Sequence, residues 1–264
     1  MAEETKDLIL GQIKREMLIK SIKNTGKRLD GRDLDEFRPI SIQKDVIKTA
    51  EGSAIAKIGK TQVLAGVKFT MEKPFADRPE DGIVIMSAEL LPIAHSSFES
   101  GPPDEHAVEL ARVVDRGIRS AECIDVKKMF VEDGKVLGIF VDLFVLDHDG
   151  NYIDTAALAA IAALENTRVP KVEDGKLIRG EYSGKLPLSH LPVSVTSIKT
   201  GGNWIVDPAR EEELTQNGRL SVAVTENHVC SLQKARGSLT QAELVERLEF
   251  ALKTGKSLRK LVQS

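Results

Sequence analysis

Two apolar runs, Val136–Leu146 and Thr155–Leu164, stand only eight residues apart and constrain the fold more than any other feature of the chain. The first is dominated by valine, leucine and phenylalanine and reads as a strand. The second holds six alanines in ten residues and reads as a helix suited to close packing on a sheet. Around them, short valine- and isoleucine-rich runs mix with helical patterns. Ile40–Ile47, Ser53–Ile58 and Gln62–Phe69, punctuated by Gly52 and Gly59-Lys60, predict an antiparallel meander, and Ile83–Leu90 predicts a further strand. A second set follows at Val193–Ile198, Trp204–Val206, Ser221–Thr225 and Val229–Gln233. Between the sets, the charged stretch Val169–Gly184 reads as an excursion or hairpin. This mixed order indicates an α+β fold rather than a doubly wound parallel sheet.

Three more segments have helical spacing. Asp7–Asn24 carries Leu8, Ile9, Ile13, Met17 and Ile22, with Asn24-Thr25-Gly26 as a stop. Asp104–Glu122 is the clearest helix, because Ala107, Leu110, Ala111, Val114, Ile118 and Ala121 form one apolar stripe. The last opens at Thr240 with Glu243 three residues on, a capping box.

A formal net charge of −3 on 264 residues creates no global basic field, so any nucleic-acid contact must come from a local patch. Cys123 and Cys230 lack the paired spacing of a zinc site or a disulfide scaffold, which fits a reducing cytoplasm. The chain opens on no charged-then-apolar leader, and no apolar run reaches the length of a bilayer span. A cytoplasmic protein with no membrane partner is expected.

Opposite the apolar stripe of Asp104–Glu122, about 100° per residue puts Arg112, Arg116 and Arg119 in one narrow row. Planar guanidinium forks in a row can hold successive phosphates of a single strand. A solvated face paired with Glu109 and Asp115 is the commoner outcome for such a row in an arbitrary helix. Asp147-His148-Asp149-Gly150-Asn151 has the opening of a calcium loop, but Leu158 stands where a bidentate glutamate belongs; the run reads as a hairpin turn. Gly180–Lys185 is too short for a phosphate loop, and the five histidines show no metal-ligand spacing. Asp207-Pro208-Ala209-Arg210-Glu211-Glu212-Glu213 could hold Mg²⁺ or supply a general acid, yet it is equally a helix start favoured by the macrodipole.

Taken together, the segments resemble the RNase PH family across nearly the whole chain. Arg28-Leu29-Asp30-Gly31-Arg32, then Arg38-Pro39-Ile40, is similar to the family's approach to its first strand; Gly52-Ser53-Ala54 leading to Ile58-Gly59-Lys60-Thr61-Gln62-Val63-Leu64 is similar to its first hairpin. Glu109–Arg119, Asp147–Ala157 and Val206–Leu214 most resemble the non-catalytic subunit type of archaeal exosomes. The resemblance implies an RNase PH-like fold with a ribosomal protein S5 domain 2-like core and two related halves. It also implies an N-terminal helix and arm over 1–30, a first half over 31–170, a connecting excursion over 171–190 and a second half over 191–264. Such a subunit alternates with a catalytic paralogue in a hetero-hexameric ring covered by RNA-binding cap proteins, and contacts single-stranded RNA.

Departures from the catalytic pattern set the expected role. Where catalytic members carry RNA- or phosphate-holding arginines before the long helix's glutamate, this chain has Glu105 and His106. In the phosphate loop, read with one residue inserted, Asp154 replaces the arginine, so an oxyanion would meet a negative charge. Of the family's aspartates at six-residue intervals, the first is kept as Asp207, the second is softened to Glu213 and the third is reversed in sign by Arg219. The resemblance therefore implies an accessory subunit with no catalytic residue, metal or cofactor, in which Arg112, Arg116 and Arg119 bind RNA. The alternative is a chain that is itself an active phosphorolytic exoribonuclease.

Overall fold

The computed structural model describes residues 2–264, with side chains described from Leu10 onward; the Leu8 and Ile9 side chains of the expected helix lie outside the described residues. In chain order the first part contains α1 (Ala2–Thr25), β1 (Ile40–Lys44), β2 (Gly52–Ile58), β3 (Thr61–Glu72), β4 (Ile83–Leu90), α2 (Glu105–Ser120), β5 (Phe130–Glu132), β6 (Lys135–Asp147) and α3 (Tyr152–Glu165). Then come the hairpin β7 (Arg168–Glu173) and β8 (Lys176–Lys185), followed by β9 (Val193–Thr200), β10 (Asn203–Val206), α4 (Arg210–Glu213), β11 (Gly218–Val224), β12 (Val229–Ala235) and α5 (Gln241–Gln263).

One sheet has the order β1-β2-β3-β6-β4, with β5 on β6; the other has the order β10-β9-β11-β12. The first three strands form the expected antiparallel meander, and Val169–Gly184 is the expected hairpin. β4 pairs with β6 in parallel, reached through α2. Every residue of α3 from Ile153 to Leu164 is buried. The helix packs on β2 and β3 of one sheet and on β9 of the other, and its alanines let both backbones come close. At Gly52 this closeness is absolute: an added methyl would lie 2.1 Å from Thr167 Oγ1 and 2.5 Å from the Ala163 carbonyl.

The second sheet is backed by α5, which packs on β9 and β11. Its start is the expected capping box: the Thr240 hydroxyl accepts the Glu243 N–H at 3.2 Å, and the Glu243 carboxylate accepts the Thr240 N–H at 2.9 Å. From α1, Leu18 is fully buried against Ile198 and Ile205.

One turn differs from expectation. Asp149–Asn151 does not close a hairpin; it joins β6 to α3. Gly150 (φ 92°) and Asn151 (φ 53°) take left-handed conformations there, and an added methyl on Gly150 would meet the Pro208 carbonyl at 2.4 Å. The turn is thus pressed against the segment that follows β10. Among the described residues, no helix is long and apolar enough to cross a membrane, and no three His, Cys, Asp or Glu side chains are grouped to hold a metal ion.

Candidate nucleic-acid interface

The Asp104 carboxylate caps α2, accepting the Ala107 N–H at 2.8 Å, and Leu110, Val114 and Ile118 anchor the buried face. Arg112, Arg116 and Arg119 are all exposed on the opposite face. They are not equally free. Arg119 donates to both oxygens of Asp115 at 2.8 and 3.2 Å and to the Val84 carbonyl of β4 at 2.9 Å. Arg116 reaches Gln233 of β12 at 3.4 Å. Arg112 makes no hydrogen bond or ion pair among the described residues. Beside the row runs a groove of about 360 Å³ floored by Val84, Ile85 and Met86 of the edge strand. Glu109 does not neutralise the row: it accepts two contacts from Arg219 at 2.9 and 3.0 Å and one from Gln233 at 3.3 Å. Of the two acids expected to pair with the row, only Asp115 does.

Behind α2, the opening arginines converge on Asp207. Its fully buried carboxylate accepts the Arg38 N–H at 2.9 Å, the Arg38 guanidinium at 2.8 and 2.7 Å, Arg32 at 3.0 Å and Asn151 Nδ2 at 2.8 Å. Arg28, also buried, pairs with Glu212 and donates to the carbonyls of Val206 and Asp207 at 2.8 and 2.9 Å. Burial alone would raise the Asp207 carboxyl, but the bonds and charge of Arg38 hold it below the usual carboxylate range. Both oxygens are occupied, so Asp207 presents nothing to a ligand.

Glu213 sits at the edge of a neighbouring cleft, accepting the Asn151 N–H at 2.9 Å; burial pushes its carboxyl up despite Asn151, Arg210 and Arg219. Tyr152 lines the same cleft, its phenol pushed up to about 12 by burial. His148 is pushed down to about 3, first by burial and then by Arg210, so its ring is neutral. The exposed His106 stands at the rim.

Asp154 is elsewhere. It is fully buried, accepting Asn151 Nδ2 at 2.9 Å and the Thr196 N–H and hydroxyl at 2.8 and 2.7 Å. Burial raises its carboxyl to about 7 against these bonds. The expectation that an anion in the loop would meet Asp154 is therefore corrected: that side chain faces β9, and the loop residue facing the cleft is Tyr152.

Comparison with known proteins decides the family. The sequence profile described as 3′ exoribonuclease family, domain 1, RNase PH, matches residues 36–170, and that of domain 2 matches residues 190–254. The chain belongs to the RNase PH family. It is 43% identical to exosome complex component Rrp42 of Pyrococcus horikoshii over 96% of this chain and 95% of that one. It is 45% identical to Rrp42 of Archaeoglobus fulgidus over 95% and 96%. A chain of the Archaeoglobus fulgidus exosome with RNA bound to the active site superposes with TM-score 0.87 at 43% identity, covering 96% of this chain and 98% of that one. Rice Rrp46 shares the RNase PH fold with TM-score 0.69 at 20% identity, over 90% and 99%.

Sequence reasoning did not anticipate the Glu109–Arg219 bridge or the rings of Phe98, His148 and Tyr152 around the cleft. The first spans 110 positions and has no local signature. For the rings, only the scarcity of aromatics, 4% of the chain, offered a hint.

Proposed function

We propose that this chain is a ring subunit of an archaeal exosome that grips single-stranded RNA with Arg112, Arg116 and Arg119 while a catalytic paralogue performs phosphorolysis. The observation that carries the accessory role is the enclosure of Asp207. A carboxylate with every oxygen committed to arginine and asparagine can neither bind Mg²⁺ nor pass a proton to a leaving group. The exposed guanidiniums of Arg112 and Arg116 support RNA contact, since phosphate binding needs charge that the protein has not already neutralised. The similarity to proteins named Rrp42 supports the assignment to the exosome and to its phosphate-dependent 3′-to-5′ decay. In this reading the row orients the 3′ end beside the paralogue's site, acting by positioning. RNA-binding cap proteins cover the ring, the assembly works in the cytoplasm, and no cofactor is needed. The units are the arm over 1–30, halves over 31–170 and 191–264, and the excursion over 171–190.

The test is release of nucleoside diphosphate from 3′-labelled single-stranded RNA, with and without inorganic phosphate, by the chain alone and by the chain assembled with a catalytic paralogue. Activity confined to the assembly is expected. Phosphate-dependent release by the chain alone would make it an exoribonuclease in its own right.

A further inference from the structure

Glu109 stands three residues before Arg112 on α2, and side chains three apart on a helix are neighbours. Left to local geometry, its carboxylate would lie along the helix against Arg112 and neutralise it. Both of its oxygens turn instead to a single nitrogen of Arg219, Nη2, at 2.9 and 3.0 Å. Arg219 comes from β11 and its side chain is 15% exposed, that of Glu109 27%, so salt screens this pair less than one formed on the exposed face of the row. On the adjacent strand β12, the Gln233 amide completes the arrangement. Its Nε2 donates to Glu109 at 3.3 Å and its Oε1 accepts from Arg116 at 3.4 Å, so an uncharged group stands between the acid and the second cation of the row. Arg119 is already held by Asp115, which leaves Arg112 and Arg116 as the charge that the row can offer. A released Glu109 would cancel one of the two.

We propose that Arg219 is a positioning residue for RNA binding: by holding Glu109 against the second sheet, it keeps Arg112 and Arg116 unneutralised for the phosphates of the strand. The inference rests on the RNA grip proposed above and adds to it a residue that acts without touching RNA. A counterion bound within the protein displaces no cation from RNA, so the acid's choice of partner sets how many phosphates the row can neutralise.

The experiment is fluorescence anisotropy of labelled single-stranded RNA titrated with the chain assembled with a catalytic paralogue, without inorganic phosphate and at several salt concentrations. Arg219→Gln should weaken binding about twofold to threefold and lower the log–log salt slope, because Glu109 then turns to Arg112. Arg219→Lys keeps a cation for Glu109 and should bind like the parent. Glu109→Gln/Arg219→Gln should regain parental affinity and slope, since no acid remains to be held. That rescue distinguishes positioning from contact: removing Glu109 would not replace a guanidinium that gripped RNA itself or only propped the fold. Parental affinity in Arg219→Gln, or a double variant as weak as the single one, overturns the proposal. Arg112→Ala/Arg116→Ala tells the two readings apart. If it weakens binding while Arg219→Gln does not, only the role of Arg219 falls; if it leaves binding unchanged, the RNA grip falls and this inference with it.

Discussion

Arg38 reaches Asp207 twice, through its backbone N–H at 2.9 Å and through its guanidinium at 2.8 and 2.7 Å. The contact spans 169 positions and ties the approach to β1 to the end of β10. Removing one member of a buried ion pair costs about 3–5 kcal/mol when the other charge is left unmatched; Arg32 and Asn151 still hold Asp207, which places the cost at about 3 kcal/mol, the low end of that range. Arg38→Ala should lower stability by that amount in urea unfolding, and Arg38→Lys should recover only part, since a single ammonium cannot span both oxygens.

Two buried acids pull the pH dependence in opposite directions. Asp207 titrates below its unfolded value of about 4, so its stabilisation is complete above that pH and is lost as pH falls further. Asp154 titrates at about 7, so the folded chain holds a proton that the unfolded chain releases at about pH 4. Its contribution is full below that lower value and declines as pH rises to about 7. Asp154→Asn, whose amide still accepts the Thr196 N–H and would donate to the Thr196 hydroxyl that now donates to Asp154, leaving that hydroxyl to donate to Ser221, should flatten this decline. Urea midpoints of both proteins at pH 5 and pH 8 would show it; an equal drop in each would remove Asp154 from the account.

The row on α2 predicts opposite effects from neighbouring substitutions. Arg112→Ala should weaken RNA binding by the assembled complex and reduce the log–log salt slope by about 0.7, the value for one phosphate contact on a single strand. Asp115→Asn releases Arg119 from its ion pair and should strengthen binding and steepen the slope. Titrations at several salt concentrations distinguish these outcomes from a general loss of fold.

Gly150→Ala combines a left-handed backbone with a methyl 2.4 Å from the Pro208 carbonyl. A loss of at least about 2 kcal/mol is expected, seen as a lower melting temperature.

What the sequence disclosed was what short-range pattern encodes. Alternation announced β1 to β3, the apolar stripe announced α2, and Thr240 with Glu243 announced α5. The parallel pairing of β4 with β6 left no trace, because strand direction within a sheet is set by the connection rather than by side-chain periodicity. Asp207 was noticed as a retained carboxylate, but its partners lie at positions 32, 38 and 151, and sequence proximity says nothing of them. Asp154 was misplaced for a related reason. Its place in the loop is legible in the motif, while its orientation is set by Thr196 on a strand 42 positions away.

The position of α3 has a mechanical consequence. With every residue from Ile153 to Leu164 buried and a sheet bearing on it from each domain, α3 leaves no plane along which the two sheets could slide past it. A push received on one domain therefore passes to the other through a single packed helix. In the RNA-gripping ring proposed above, that continuity would hold the spacing between neighbouring grips constant.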